Sequence, residues 1–354
     1  MMQHVDPDGT RTPPRVTDSL RLSKLAGRPG LTIVAATVVL FAVISPAVAP
    51  TSLHSGSLPP LIVFSSILVL VSLGQMLVIQ QRGFDLSVAG AVSLAAVAAA
   101  HFGAGSTDRL TMAIVQTLGL LLAAGIVNGL AVAFLKIPPL IATLGMNALL
   151  LAVTQAVTGG VSTVDVPPQL ADFAKSRLLD VPAPGWITLL LCLLVAIMMK
   201  KTLFGRRFEL SGTNPRAAEF AGLRPVTYTI SAYAIAGLLY ATGGLLLAGY
   251  VRTPGIDSGT SYLFASVAAV VLGGAALAGG KASTAATVTA AVFLTQLTTV
   301  ITASGAPPAT QYMVQAAIIC AGVGIPAVRK IVQRNRRTVE RPIRVRRSEM
   351  GDTP

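Results

Sequence analysis

Acidic residues are the natural starting point for chemistry, because paired carboxylates serve hydrolysis and buried ones carry protons across membranes. All 14 acidic residues fall in loops or at the ends of apolar segments, and Asp85 opens one of those segments. The sequence shows no HExxH motif, no intramembrane carboxylate pair and no cluster of metal ligands. We therefore expect no catalytic residues and no metal site in this chain.

The segment 273–281, GGAALAGGK, imitates a phosphate-binding loop but has the wrong spacing. A true loop needs Gly, four residues and then Gly-Lys-Ser/Thr, so that backbone N–H groups cradle phosphate. Counting back from Lys281 places Ala275 at the first glycine position, and Ala282 replaces the Ser/Thr. We expect this chain to bind no ATP and no other cofactor.

Uncharged polar side chains, in contrast, recur inside the apolar segments. Each can serve as an interhelical hydrogen bond, which contributes about 0.6 kcal/mol on average. As a set they also fit a path that offers donors and acceptors to a neutral, hydroxyl-rich solute. The candidates for such a path are Gln75, Asp85, Asn147, Gln155 and Gln296. Asp85 has the alternative interpretation of an N-cap for the helix that follows it.

The elements that position these residues follow from composition. The chain has 354 residues, of which 53% are hydrophobic and only 12% charged, against about 25% charged in soluble domains. This composition excludes a soluble enzyme and predicts an all-α polytopic membrane protein with about ten transmembrane helices. The predicted spans are 31–49, 58–79, 86–102, 110–135, 140–158, 186–199 (extended by Ala183), 226–249, 262–278, 283–302 and 310–328.

Positive charge predicts the orientation, because cytoplasmic loops are enriched in Lys and Arg. With the N-terminus inside, all 27 basic residues lie on the cytoplasmic side except Arg109, Lys175, Arg177 and Arg252. The predicted organisation is a cytoplasmic tail at 1–30, a permease domain at 31–328 and a basic cytoplasmic tail at 329–354. The basic tail is expected to meet anionic membrane lipid, not nucleic acid.

Ten spans divide into two sets of five, and five crossings reverse the orientation of the second set. The third span of each set, 86–102 and 262–278, is rich in small residues. Matching interrupted segments of this kind are typical of inverted repeats in transporters. Two inverted five-helix halves are therefore a hypothesis for the fold.

The longest inside loop, 200–224, contains a signature of a short helix. Asn214 followed by Pro215 is typical of an N-cap and first helical residue, and Gly222 is placed to end the helix. Such a short helix needs outside support. It either lies on the lipid headgroups through Phe208 and Phe220 or docks a cytoplasmic protein.

Four short motifs occur in order along the chain. They are GFDLSV at 83–88, PLIATLG at 139–145, Gly-Arg at 205–206 leading to Ala-Ala at 217–218, and AAVVLGG at 268–274. Together they resemble the permease subunits of ABC sugar importers, in particular the ribose-permease family. The resemblance implies a multi-pass protein of the cytoplasmic (inner) membrane that translocates a neutral monosaccharide such as a pentose or hexose.

The resemblance also implies partners. The first is an ABC ATPase, with separate or tandem domains, that hydrolyses ATP. The others are an extracytoplasmic sugar-binding protein and a second permease, which forms a homo- or heterodimer with this chain. The residues that it implies for coupling to the ATPase are Gly205, Arg206, Asn214, Ala217, Ala218, Glu219 and Gly222.

Departures from the family pattern leave alternatives open. Arg82 stands where the family usually has Gly, and Arg216 and Glu219 reverse its usual charges. These changes leave room for a pair of unlike permeases. The cargo could also be a nucleoside or a signalling sugar, and a secondary carrier for a polar solute is a further alternative.

Overall fold

The structure, a computed structural model, describes residues 29–161, 164–307, 309–321 and 324. Most of the predicted N-terminal tail, the end of the last span and the basic tail lie outside the described residues. The described part consists of helices joined by short loops, with one antiparallel hairpin of two-residue strands as its only sheet. The prediction of an all-α polytopic fold is confirmed.

Helices and strands are numbered in chain order. The first half comprises α1 (Gly30–Val48), α2 (Leu58–Gln80), α3 (Val88–Gly103), α4 (Leu110–Ala133) and α5 (Pro139–Thr158). The connection comprises α6 (Pro168–Lys175), β1 (Arg177–Leu178), β2 (Val181–Pro182), α7 (Ala183–Lys201), α8 (Leu203–Thr213) and α9 (Pro215–Phe220). The remainder comprises α10 (Pro225–Val251), α11 (Thr260–Leu272), α12 (Thr284–Ala303) and α13 (Ala309–Ala321).

Each of the ten predicted spans corresponds to an apolar helix. Seven helices are long and apolar enough to cross a membrane, and α3, α11 and α13 are shorter apolar helices among the described residues. The short span predicted at 186–199 starts at Ala183, as its composition suggested. Prolines or side-chain caps stand at most of the helix starts.

The centre of the bundle is α2, of which 89% of the apolar window is buried inside the protein. It packs against α7, α10, α11 and α12. A helix that is apolar all round in this way is buried on every face. The peripheral helix α5 has only 22% of its window buried, which leaves its apolar side chains to face lipid or a second protein.

Helices α3 and α11 are too short to cross the hydrocarbon core alone. Their 16 and 13 residues extend about 24 and 20 Å, against about 30 Å for the core. Each follows a non-helical segment, and the N–H of Gly259 before α11 donates to Ser93 Oγ on α3. The pair of short, contacting third helices is what the inverted-halves hypothesis expects, and that relation stays a prediction.

Candidate functional site

The predicted coupling loop folds as two consecutive helices, α8 and α9. Only α9 was expected from the sequence. The Thr202 side chain caps α8 by accepting a hydrogen bond from the Gly205 N–H at 3.2 Å. The fully buried Phe208 anchors α8 in the core. The Thr cap was the signal that could have revealed α8, but its two glycines made a loop look more plausible.

Helix α9 begins and ends as predicted. Asn214 Oδ1 accepts a hydrogen bond from the Ala217 N–H at 3.1 Å, and Pro215 is the first helical residue. At the other end Gly222 has φ +76°, and the Leu223 N–H donates to the Ala218 carbonyl at 2.9 Å. Both ends of this six-residue helix are therefore closed by local hydrogen bonds.

The coupling segment has a buried side and an exposed side. Phe208 is fully buried and Ala218 faces the protein, whereas the Phe220 side chain is 94% exposed. The interpretation that Phe208 lies on lipid headgroups is therefore wrong, because the core covers it. Of the residues expected to couple, Gly205 is buried against α7, while Arg206, Asn214, Ala217, Glu219 and Gly222 are exposed.

Arg82, just after α2, holds the C-terminal end of α8. Its Nε donates to the Gly212 carbonyl at 2.8 Å, and Nη2 donates to the Thr213 carbonyl. The last carbonyls of a helix have no partners within the helix and carry its negative dipole end, so a guanidinium is well suited there. Arg82 was noted in the sequence only as a departure from the family pattern.

The two residues before Arg82 add contacts to two other segments. Gln81 Nε2 donates to the Phe208 carbonyl on α8 at 2.8 Å. Gln80 exchanges two hydrogen bonds with Gly280: the Gly280 N–H donates to the Gln80 carbonyl at 2.8 Å, and Gln80 Nε2 donates to the Gly280 carbonyl at 3.1 Å. We call this junction of residues 80–82, 212–213 and 280 the clamp.

Close backbone approach explains two glycines of the clamp. A Cβ at Gly212 would lie 1.9 Å from the Gln80 carbonyl oxygen, and one at Gly280 would lie 2.3 Å from Thr213 Oγ1. Gly280 also has φ +90°. Gly280, in the segment that imitates a phosphate loop, therefore allows close contact between that segment and the end of α8. The C-terminal end of α8 is therefore in direct contact with the end of α2 and with the segment before α12.

Gln75 and Gln296 are two of the three pathway candidates that are buried in the bundle. Gln75 is fully buried, and its Oε1 accepts a hydrogen bond from the Tyr240 hydroxyl at 3.2 Å. Gln296 Nε2 donates to Ser45 Oγ at 2.8 Å and to Ser52 Oγ at 3.3 Å. These bonds tie α2 to α10 and α12 to the first helix and the turn after it.

The other three candidates lie elsewhere. Asn147 Oδ1 accepts from the Gly90 N–H at 2.8 Å, which joins α5 to α3, and Gln155 is exposed on α5. Asp85 is 2% exposed and accepts from the N–H and hydroxyl of Ser87. It forms an Asx turn before α3, so its interpretation as the N-cap was wrong. The five candidates do not converge on one cavity, and their role in transport stays a prediction.

Comparison with known proteins bears on this arrangement. Residues 58–322 match the family model described as the branched-chain amino acid transport system / permease component. The chain belongs to this permease family. The Autoinducer 2 import system permease protein LsrC of Escherichia coli (strain K12 / DH10B) is 36% identical over 242 residues, which cover 68% of this chain and 70% of LsrC. LsrC of Salmonella typhi is equally identical, over 68% of this chain and 69% of the relative. No solved structure matches the chain.

Membership of this permease family confirms the resemblance drawn from the four motifs. The chain is a multi-pass membrane permease and a transport component, not an enzyme. In this family a partner ATPase uses the ATP. The matched region begins at α2 and runs through α13, so it contains the clamp and both coupling helices.

Proposed function

We propose that this permease is the translocating subunit of an ATP-driven importer for a neutral monosaccharide. In this proposal α8 and α9 contact the ATPase and pass its conformational change to the membrane helices. The observation that carries the proposal is the coupling segment itself. Its outer side is exposed and includes the almost fully exposed Phe220, whereas the clamp joins its inner side to α2 and to the segment before α12. Through these contacts a movement of α9 would be transmitted to the membrane helices.

Two features support an uncharged, sugar-like cargo. None of the described membrane helices contains an acidic residue, and the buried carboxylate of Asp85 before α3 accepts hydrogen bonds from Ser87, so a cation has no counter-charge within the helices. The LsrC relatives are named for import of autoinducer 2. This name favours a signalling sugar as the second candidate cargo, ahead of a nucleoside.

The complete importer would contain further chains. We place the coupling segment and both termini on the cytoplasmic side, on the positive-inside pattern. Two permeases, alike or unlike, would face two ATPase domains below and one extracytoplasmic binding protein above. The exposed side of α5 is available to lipid or to the second permease.

Transport by the reconstituted importer tests the proposal. Proteoliposomes with the permease, its ATPase and external binding protein should accumulate labelled D-ribose or autoinducer 2 when ATP is enclosed. Uptake should fall to background with ADP or with a Walker-lysine variant of the ATPase. Uptake by the permease alone without nucleotide would establish a secondary carrier and overturn the proposal.

A further inference from the structure

One cavity in the bundle combines polar and apolar side chains in its wall. It has a volume of about 330 Å³ and lies between α2, α10, α11, α12 and α13. Hydroxyl and amide side chains share its wall with Phe64 of α2 and several aliphatic residues. The polar members of the wall on α11 to α13 are Ser261, Tyr262, Thr295, Thr298, Gln311 and Gln315.

Gln315 carries an unsatisfied acceptor at this cavity. Its side chain is 4% exposed, and its Oε1 has no hydrogen-bond partner among the described residues. Buried polar atoms in proteins nearly always have a partner, so this amide oxygen on a cavity wall is placed to accept a hydrogen bond from a donor that the described residues do not supply. A hydroxyl group is such a donor.

The larger cavities of the bundle have a smaller polar share in their walls. One of about 490 Å³ and another of about 560 Å³ are lined mainly by aliphatic and aromatic side chains, with Gln169 and Thr242 on the first and Ser65, Ser66 and Thr188 on the second. The 330 Å³ cavity is within the size range of small-molecule sites, which combine an apolar wall with a few placed polar groups. None of the described residues that line it is an acid, a lysine or an arginine.

We propose that this cavity is a binding site for the cargo, a neutral polyhydroxylated molecule of monosaccharide size. Gln315 Oε1 accepts a hydrogen bond from one cargo hydroxyl, Thr298 bonds a second, and Phe64 covers an apolar face. The inference rests on the proposed function and deepens it, because it gives the sugar a site inside one permease. The cavity lies near the C-terminal end of α10 and the start of α11, which the charge pattern places towards the outside.

Uptake by matched variants tests the site. In the reconstituted importer, Gln315→Leu and the isosteric Thr298→Val should each lower ATP-driven D-ribose uptake about tenfold, as expected for the loss of one hydrogen bond to the cargo. Gln315→Asn should restore part of the uptake. Thr299→Val is the control, since its hydroxyl donates to the Thr295 carbonyl and it does not line the cavity.

Protection of a cysteine gives a readout that does not depend on transport. Thr298→Cys, with Cys192 and Cys320 changed to alanine, should react with a small methanethiosulfonate reagent, and saturating D-ribose should slow the reaction at least fivefold. Leu179→Cys on the exposed hairpin should react at the same rate with and without sugar. Protection without any ATP-driven uptake would support the site and count against the proposed function. Wild-type uptake in both cavity variants, or no protection, would overturn the site.

Discussion

Arg82 shows how one side chain determines the position of a helix. Its φ is +63°, a left-handed conformation that glycine adopts without strain, and the family pattern usually has glycine there. Arg82 adopts this strained conformation, and its guanidinium donates hydrogen bonds to the last two carbonyls of α8, which offset the strain. A departure from the motif is therefore a positioning residue for the coupling segment.

Substitution of Arg82 by glycine separates the contribution of the side-chain hydrogen bonds from that of the backbone conformation. Arg82→Gly keeps the left-handed conformation but removes both hydrogen bonds, so we expect a loss of about 1.5 kcal/mol in stability, the lower end for charged donors because the residue is exposed. Thermal unfolding in detergent measures the stability, and ATP-driven uptake should fall several-fold. Arg82→Lys should recover little, since one ammonium does not reproduce the forked guanidinium.

Arg252 offers a matched control for that experiment. It also has a positive φ, +73°, but its side chain makes no hydrogen bond to the part of the chain that the structure describes. Arg252→Gly should therefore leave stability unchanged or slightly higher. Equal melting temperatures for the Arg82 and Arg252 variants would contradict the role assigned to the clamp.

At the scale of elements, α9 is too short to persist alone and depends on its two ends. Asn214 and the left-handed Gly222 close these ends, and α8 holds the helix against the bundle. A helix that is so firmly positioned and yet presents Phe220 almost wholly to solvent is a shape suited to a groove in a partner. Exposed aromatic residues of this kind often dominate binding energy.

Truncation of Phe220 tests the docking role of α9. Phe220→Ala should weaken binding of the purified ATPase about 30-fold, which corresponds to a hot-spot loss of about 2 kcal/mol. Titration of labelled ATPase onto the permease in nanodiscs measures the affinity. Leu179→Ala, a similarly exposed apolar residue on the hairpin at the other end of α7, is the control. Unchanged affinity for the Phe220 variant would remove α9 from the interface.

At the scale of the molecule, α7 separates two surfaces. The β1–β2 hairpin precedes it, and the coupling segment follows it. Because α7 is long enough to cross the membrane, we expect Leu179 and Asn214 to lie on opposite sides. The positive-inside pattern predicts that Asn214 is on the cytoplasmic side, where the proposed ATPase would bind.

Labelling of single cysteines in intact cells checks this topology. In a cysteine-free background, Leu179→Cys should react with a membrane-impermeant maleimide, whereas Asn214→Cys should react only after permeabilisation. We expect the two labelling rates in intact cells to differ about fivefold or more, and the order of the two rates should reverse in inside-out vesicles. Reaction of Asn214→Cys from outside in intact cells would invert the proposed orientation and with it the assignment of the coupling segment.

The sequence by itself determined the class of protein, the ten apolar segments and the ends of α9. These features depend on runs of about 20 apolar residues and on caps within three or four positions, so they can be read along the chain. The four motifs likewise identified the permease family. Helix α8 escaped prediction because its one local signal, the Thr202 cap, is weak beside two glycines, and its main support is the burial of Phe208.

The tertiary structure alone decided the clamp, the bonding of the glutamines and the polar cavity. Gln80 meets Gly280, Gln296 meets Ser45, and the cavity gathers side chains from five helices. Partners 200 and 251 residues apart leave no periodic or motif signal. Whether a polar residue in an apolar helix is a structural bond or a cargo contact depends on what packs opposite it, and packing is a property of the whole bundle.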